Sequence, residues 1–288
     1  MQTPAPPPPP APIALQALPE VSLLRLALQR KPGLAPGQRL PALVATCPVQ
    51  LTDDPTYRAL CGLPADGPLP LTLPFLLAGP LHKLLLADPR FPLPAMGLVH
   101  LRQTLWQAGP LPAGAALVLR CSGGAHRPAR RGVEFDLLTE LLDGERVVWS
   151  VTTTAWSPAG PGHGERGPRE TVDPWPDSSS TAVEVPEDMG RRYAKISGDF
   201  NPIHWHWLTA YPFGFKRAII HGMWTLARAL ASRPGAPVGP EIRVEGRFRK
   251  PVPLPSQLRI EWAADGQRGR VWRGDALCLE LDLVPAGR

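Results

Sequence analysis

The chain has 288 residues, of which 43% are hydrophobic and 19% charged, a balance that fits a folded globular protein and excludes an intrinsically disordered one. This length favours two domains, and the net charge of +6 favours an acidic partner, such as a phosphate-bearing molecule. No apolar stretch reaches the roughly 18 residues that a membrane helix needs, so no membrane partner is expected.

The first residues, MQTPAPPPPPAP, are almost all proline and alanine. They lack the basic start and the apolar run of a secretory signal peptide. Because proline-rich segments are extended and unpacked, we predict a disordered tail over residues 1–18.

The four cysteines, Cys47, Cys61, Cys121 and Cys278, are far apart in the sequence. Their spacing matches neither a zinc site nor a disulfide framework. We therefore expect a reducing compartment and a cytoplasmic protein.

Two similar series of elements follow the tail. In the first, "LPFLLAGPLHKLLLA" (73–87) predicts a helix, and strand patterns after it include a hairpin turned at Asp143-Gly144. In the second, a helical pattern from His221 to Ser232 precedes alternating residues over 241–262. The recurrence predicts two copies of one helix-plus-sheet unit, although two unrelated α+β domains would show a similar pattern.

The domain boundaries follow from composition. Residues 156–180 are rich in proline, glycine and serine and have few apolar side chains, which is typical of a linker. We predict repeats over residues 19–155 and 181–288 on either side of it.

The stretch "SGDFNPIH" (197–204) places a carboxylate, an amide and an imidazole within eight residues. A helical pattern ends at Ser197-Gly198, and Pro202 prevents regular helix over the whole of the next segment, so Asp199 and His204 can converge. A carboxylate and an imidazole that share one water perform general acid/base catalysis near neutral pH, with the amide of Asn201 in a supporting role. Asp and Asn are also common in turns without any catalytic function.

The next stretch, "AIIHGMWTLARAL" (218–230), places Gly222 at the start of a helix with one buried face. Its backbone N–H is free to polarise a carbonyl oxygen. His221-Gly222 would equally serve to cap and pack the helix. An acid/base pair with an oxyanion donor suits chemistry next to a thioester.

Two other functions are weakly indicated. Asp199, His204, His206 and His221 contain metal-ligating atoms, but no helical ligand pair such as HExxH is present, so neither a metal nor a redox cofactor is expected. The basic segments "HRPARR" (126–131) and "RFRK" (247–250) are short, so we expect no nucleic-acid partner.

The segment "YAKISGDFNPIHWHWLTAYPFGFKRAIIHGMWTLARAL" (193–230) resembles the hydratase motif of the MaoC-like enzymes. These are the (R)-specific enoyl-CoA hydratases and the (3R)-hydroxyacyl-thioester dehydratases. Their Ser-Gly-Asp-x-Asn-Pro-x-His turn and His-Gly-Met helix start are both present without a gap. The resemblance implies an α+β double hot-dog fold, in which each repeat wraps a curved antiparallel sheet around a long helix.

The resemblance also implies roles for single residues. Asp199 and His204 become the catalytic pair, Asn201 supports them, and the Gly222 N–H is the oxyanion donor. The motif residues expected to contact substrate are Ser197, Gly198, His221 and Met223. The N-terminal repeat lacks the motif, so His100 is expected to line the core or the groove, and the lost side chains leave room for a long acyl chain.

The implied reaction is reversible hydration of trans-2-enoyl thioesters, or dehydration of (3R)-hydroxyacyl thioesters, in fatty-acid or polyketide-type metabolism. The acyl group would arrive on coenzyme A or on the phosphopantetheine of an acyl carrier protein. Lys216, Arg217 and the 126–131 segment are candidate phosphate contacts. The alternatives are a hot-dog acyl-thioesterase and a non-catalytic acyl-binding subunit. With two fused repeats, a monomeric pseudo-dimer and a homodimer are both expected states.

Overall fold

The computed structural model describes residues 11–129, 132–160, 174–175, 177–235 and 241–285. Most of the predicted linker and the first ten residues of the predicted tail lie outside these ranges. Within them, no helix has both the length and the apolar character needed to cross a membrane.

The N-terminal half contains the first helix-plus-sheet unit. Its elements in the described residues are β1 (Ile13–Ala14), α1 (Leu23–Leu28), β2 (Leu43–Gln50), α2 (Pro55–Cys61), α3 (Phe75–Ala87), β3 (Val99–Gln107), β4 (Ala116–Ala129), β5 (Gly132–Asp143) and β6 (Arg146–Ser157). The predicted helix is α3, and the predicted hairpin joins β5 to β6. The hairpin turns at Gly144-Glu145, one residue later than predicted, because Gly144 accepts the φ of 58° that the turn requires.

The C-terminal half repeats this plan with a longer insertion before its central helix. Its described elements are β7 (Ser179–Val185), α4 (Met189–Ser197), a 3-10 helix (Pro202–His204), α5 (Trp207–Ala210), a second 3-10 helix (Tyr211–Phe213), α6 (Gly222–Ala231), β8 (Ile242–Phe248), β9 (Ser256–Trp262), β10 (Arg268–Arg273) and β11 (Ala276–Pro285). The insertion between α4 and α6 contains the predicted catalytic turn.

All described strands form one sheet in the order β1-β2-β4-β5-β6-β3-β8-β11-β10-β9-β7. Leaving out β1, each half has the same order from its edge to the middle: its first, third, fourth, fifth and second strand. The halves meet where β3 pairs antiparallel with β8. This pseudo-twofold arrangement is the predicted double hot-dog fold. It confirms that the chain contains two copies of one structural unit.

The sheet wraps around the two central helices and buries their apolar faces. Helix α3 packs on β2 and β4, and α6 packs on β10 and β11. Among the largest fully buried side chains is Trp224 of α6, whose indole N–H donates to the carbonyl of Leu60 in α2 at 2.8 Å. The two halves therefore share one core, in which this buried indole finds its hydrogen-bond partner in the other half.

The structure corrects the predicted extent of the disordered tail. Ile13 and Ala14 pair in parallel with Ala45 and Thr46 of β2, and the Leu15 N–H donates to the Thr46 carbonyl at 2.9 Å. Because β2 is otherwise an edge strand with unpaired backbone groups, a short segment gains hydrogen bonds by pairing with it. The predicted linker is also too long, since β6 ends at Ser157 and β7 begins at Ser179.

Candidate active site

Helix α4 ends at a glycine that redirects the chain into the site. Gly198 has a left-handed φ of 64°, and its N–H closes the helix on the Ala194 carbonyl at 2.9 Å. Other residues are strained in this conformation, so glycine is required at this position between the end of the helix and Asp199. This confirms the predicted helix end.

The turn that follows is stabilised by its own side chains. Asp199 Oδ1 accepts a hydrogen bond from the Asn201 N–H at 3.2 Å, and Asn201 Oδ1 accepts one from the Ile203 N–H at 3.4 Å. Asn201 thus caps the 3-10 helix that carries His204. The geometry agrees with a supporting role for Asn201, since its side-chain oxygen is engaged by the backbone.

His204 is held in one tautomer. Its ring nitrogen Nδ1 lies 2.7 Å from the Ile219 carbonyl, which only accepts, so Nδ1 carries the proton and Nε2 has the lone pair. Nε2 lies 3.9 Å from Asp199 Oδ2. Burial lowers the pKa of His204, and the opposing effects of Asp199 and of the Ile219 carbonyl do not cancel it. His204 therefore faces Asp199 as a neutral base.

His221 forms the back of the site. Its Nε2–H donates to the backbone carbonyl of Asp199 at 3.0 Å, and its ring stacks on His204 with centroids 3.6 Å apart. Burial, followed by the neighbouring His204, lowers the pKa of His221 to about 3. Two imidazoles in such close contact are stable together when both are uncharged. His221 was predicted to contact substrate, and in the structure its hydrogen bond holds the Asp199 carbonyl in the turn.

The Asp199 side chain is accessible to solvent and is surrounded by polar groups. Its side chain is 53% exposed, so water reaches the carboxylate directly. The surrounding protein opposes its ionisation, but His221, His204, the Asn201 N–H and Lys83 outweigh that effect and hold the pKa of Asp199 below its usual value. At neutral pH the site therefore pairs a carboxylate with a neutral imidazole.

Gly222 is the first residue of α6, as predicted, and its N–H is among those that a helix start leaves without an intrahelical partner. A Cβ at this position would lie 2.9 Å from the ring of Phe248, so only glycine fits here without movement. Phe248 in turn contacts the His100 ring, with centroids 4.5 Å apart. His100 thus lies beside the site, where it was predicted to line the groove, and burial lowers its pKa to about 4.

The other residues that were predicted to contact substrate lie in different parts of the structure. Ser197 Oγ accepts from the Asp199 N–H at 3.3 Å, within the turn. Met223 is only 4% exposed and packs in the hydrophobic core, because it lies on the inward face of α6; this placement does not support its predicted contact with substrate. Lys216 and Arg217 line a cavity of about 260 Å³ together with Trp205, the residue after His204.

The 126–131 segment lies in the N-terminal half, partly outside the described residues. Its Arg127 is 2.8 Å from Glu134 and 2.9 Å from Asp136, so both neighbouring acids neutralise it. This pairing does not support the prediction that the segment binds phosphate.

A metal would find a carboxylate and two imidazoles here, since ligand atoms of Asp199, His204 and His221 lie within 4.8 Å of one another. The rings of His204 and His221 are stacked, with their planes 25° apart and their centroids 3.6 Å apart. His221 Nε2 also carries the hydrogen of its hydrogen bond to the backbone carbonyl of Asp199. A metal bound to His221 Nε2 would have to replace that hydrogen bond. His206 lies apart from it and caps α5, where its Nδ1 accepts from the Leu208 N–H at 3.3 Å.

Comparison with known proteins agrees with this geometry. A family profile described as "MaoC like domain" matches residues 168–274. The chain is 32% identical to 3-hydroxyacyl-thioester dehydratase X of Mycobacterium tuberculosis over 252 residues, which are 86% of this chain and 89% of that relative. The chain belongs to the family of MaoC-like dehydratases. The resemblance inferred from the motif is confirmed.

Solved structures have the same fold. The crystal structure of HtdX from Mycobacterium tuberculosis is 31% identical, covers 83% of this chain and 98% of its own, and has a TM-score of 0.69. Full-length peroxisomal multifunctional enzyme type 2 from Drosophila melanogaster is 21% identical, with a TM-score of 0.62 over 84% of this chain and 48% of its own. The second likeness concerns the fold alone.

Two residues at this MaoC-like site were missed in the sequence. Lys83 donates to the Gly198 carbonyl at 3.1 Å, and Phe248 covers Gly222. A lysine in the largely apolar helix "LLAGPLHKLLLA" indicates that its ammonium has a hydrogen-bond partner, although the sequence does not say which. Phe248 lies in an ordinary strand pattern and gives no such signal.

Proposed function

We propose that this chain catalyses the reversible hydration of trans-2-enoyl thioesters to (3R)-hydroxyacyl thioesters. Membership of the MaoC-like family and the name of the mycobacterial relative support a hydro-lyase acting on acyl thioesters. The observation that carries the proposal is the 3.9 Å gap between His204 Nε2 and Asp199 Oδ2. Both atoms accept hydrogen bonds, and one water fits between them as a donor to each.

In the hydration direction, this water attacks the β-carbon of the enoyl group. Asp199 and His204 both begin as proton acceptors, because the carboxylate is ionised and the His204 Nδ1–H is engaged by Ile219. One of them takes a proton from the water, and that proton is then delivered to the α-carbon. The negative charge that develops on the thioester oxygen in between is stabilised by the Gly222 N–H.

This mechanism needs neither a metal nor a redox cofactor. We also propose that the thioester is carried on coenzyme A or on phosphopantetheine, with Lys216 and Arg217 near its phosphates. Their place in the cavity beside Trp205 supports this proposal. Lys216→Ala and Arg217→Ala are then expected to raise KM without lowering kcat.

The two repeats already pair through β3 and β8 within one chain. This pairing supports a monomeric pseudo-dimer, and we propose that a second copy is not needed to complete the site. Size-exclusion chromatography with light scattering would test this, since activity confined to a dimeric fraction would contradict it.

The decisive assay follows the absorbance of crotonyl-CoA and of a longer trans-2-enoyl-CoA, with chiral analysis of the product. Wild-type protein is expected to form the (R)-3-hydroxyacyl product. Asp199→Asn is expected to lower kcat by about a hundredfold to ten-thousandfold, because it removes a proton acceptor from a site that is otherwise intact. Its folding would change little, since the side chain is 53% exposed.

Three other results would contradict the proposal. Release of free coenzyme A without hydration would indicate a thioesterase, and saturable binding without turnover would indicate an acyl-binding subunit. Equal activity of wild type and Asp199→Asn would show that the catalytic pair is wrongly assigned. Substrates on an acyl carrier protein, tested in parallel, distinguish the two possible carriers.

A further inference from the structure

The two central helices reach across the pseudo-twofold axis, and each covers the end of a helix in the other repeat. On α6, the Trp224 indole donates to the Leu60 carbonyl at 2.8 Å. One turn later, Arg228 lies over the end of α2, since a Cβ built on Gly62 would be 3.1 Å from its guanidinium carbon.

Helix α3 makes the equivalent contact with the end of α4. A Cβ built on Gly79 would lie 3.8 Å from the Ser197 carbonyl oxygen, which is ordinary packing distance. One turn later, the Lys83 ammonium donates to the Gly198 carbonyl at 3.1 Å. Residues four apart share a helix face, so one face of α3 covers two successive carbonyls that the end of α4 leaves unpaired.

The two covered helix ends have the same local structure and different continuations. Tyr57 precedes Gly62 by the same five residues as Tyr193 precedes Gly198, and both glycines are left-handed, with φ of 68° and 64°. Gly62 is followed by Leu63, whereas Gly198 is followed by Asp199. Lys83 of α3 therefore holds the helix end that is followed by Asp199 of the predicted catalytic pair.

We propose that Lys83, supplied by the repeat that lacks the hydratase motif, is a positioning residue that holds the Gly198 carbonyl and thereby sets Asp199 against His204. This inference rests on the proposed hydratase function. A cation is favoured at the C-terminal end of a helix, and a charged donor makes a stronger hydrogen bond than a neutral one. The proposal also gives the first repeat a function in catalysis, although it has no motif of its own.

Lys83 also acts on Asp199 through its charge. The titratable groups that face Asp199 are His204, His221, Tyr193, His100 and Lys83. The three histidines have lowered pKa values through burial, so they are uncharged at neutral pH, and burial likewise keeps Tyr193 in its neutral form. Lys83 is the last of the groups that lower the pKa of Asp199, after His221, His204 and the Asn201 N–H, and its ammonium favours the carboxylate form.

The test compares Lys83→Met, which has no donor and no charge, with Lys83→Arg, which has both. For Lys83→Met we expect kcat to fall at least about tenfold with KM changed less than about twofold, because the acid/base pair is misplaced and the substrate site is not. The acid limb of the kcat profile is expected to move to higher pH, because the Asp199 carboxylate loses its cation. Lys83→Arg is expected to restore both kcat and the limb.

Arg228→Met is the matched control, since it removes the equivalent cation from the other side of the axis. We expect it to lower the melting temperature and to leave the acid limb at its wild-type pH. Lys83→Gln keeps a hydrogen-bond donor without the charge. If Lys83→Met does not fold, the acid limb of the kcat–pH profile of Lys83→Gln tests the proposal instead. A wild-type profile in Lys83→Met or Lys83→Gln would overturn the proposal.

Hydrogen exchange separates a failure of this inference from a failure of the proposed function, since it needs no substrate. In Lys83→Met, amides of the turn over residues 197–204 are expected to exchange faster than in wild type, whereas in Arg228→Met they are not. A wild-type protein without hydratase activity would contradict the proposed function, and exchange in the turn would then decide whether Lys83 holds it. Unchanged exchange would overturn the positioning role.

Discussion

Replacing Gly222 by alanine tests the close approach between the start of α6 and Phe248. The new Cβ would lie 2.9, 3.1 and 3.3 Å from three ring carbons of Phe248. Because carbon atoms pack at about 3.5 Å or more, the ring or the helix start must move by roughly 0.6 Å. The ring is already packed on His100 with centroids 4.5 Å apart, so we expect the helix start to take part of this movement.

The expected free-energy cost follows from two opposing effects. Overpacking costs about 1–3 kcal/mol, and the better helix propensity of alanine returns up to about 1 kcal/mol. The net loss of roughly 1–2 kcal/mol corresponds to a fall in melting temperature of about 2–4 °C for a chain of this size. Displacement of the Gly222 N–H is expected to lower kcat by at least about tenfold, because the oxyanion donor no longer meets the thioester oxygen.

The assay is a double-mutant cycle with Phe248→Ala, measured by thermal unfolding and by enoyl-thioester hydration. Removal of the ring makes room for the Cβ, so Gly222→Ala is expected to cost about 1–2 kcal/mol less in that background than in wild type. A Gly222→Ala protein with a raised melting temperature and full turnover would refute the reasoning. So would equal costs in the two backgrounds.

Two further predictions concern acid stability and the backbone of the site. Burial holds the pKa of His100 at about 4 and that of His221 at about 3, whereas histidine in the unfolded chain titrates near 6.5, so the unfolded chain binds more protons below pH 6.5. The free energy of unfolding is therefore expected to be fully retained above pH 6.5 and to fall as the pH drops towards 4, by up to about 3 kcal/mol per imidazole; a melting temperature that is constant over this range would contradict it. A Cβ built on Gly190 would collide with the carbonyl oxygen of His204, so Gly190→Ala is expected to lower the melting temperature and abolish measurable hydration. Gly109→Ala, at a position with nothing within 4 Å, is the control and is expected to behave as wild type; a fully active Gly190→Ala protein would show that the backbone of His204 is free to shift.

Much of the candidate site was predictable because its determinants are local. The end of α4 depends on a left-handed glycine, and the turn after it depends on Asp199 and Asn201 bonding amides two residues ahead. The start of α6 at Gly222 likewise follows from the pattern around it. Such preferences act within a few residues, so they can be recognised in the sequence without knowledge of the fold.

The extent of the tail shows where local preference fails. A proline-rich composition predicts an unpaired segment, and the two residues described before Ile13 are in no strand. From there the unpaired edge of β2 offers hydrogen bonds to a segment that has none of its own. This pairing is a tertiary contact with β2. The sequence of the tail alone gives no sign of it.

The sequence by itself determined the family and the repeat and predicted the acid/base pair, because the motif is contiguous and its geometry is set by short-range capping and turn bonds. Only the tertiary structure decided which groups surround that pair. Phe248 reaches Gly222 from β8, and Lys83 reaches Gly198 from 115 positions away. Both contacts depend on how one sheet wraps around two helices, and that packing is decided by the whole core rather than by any segment of it.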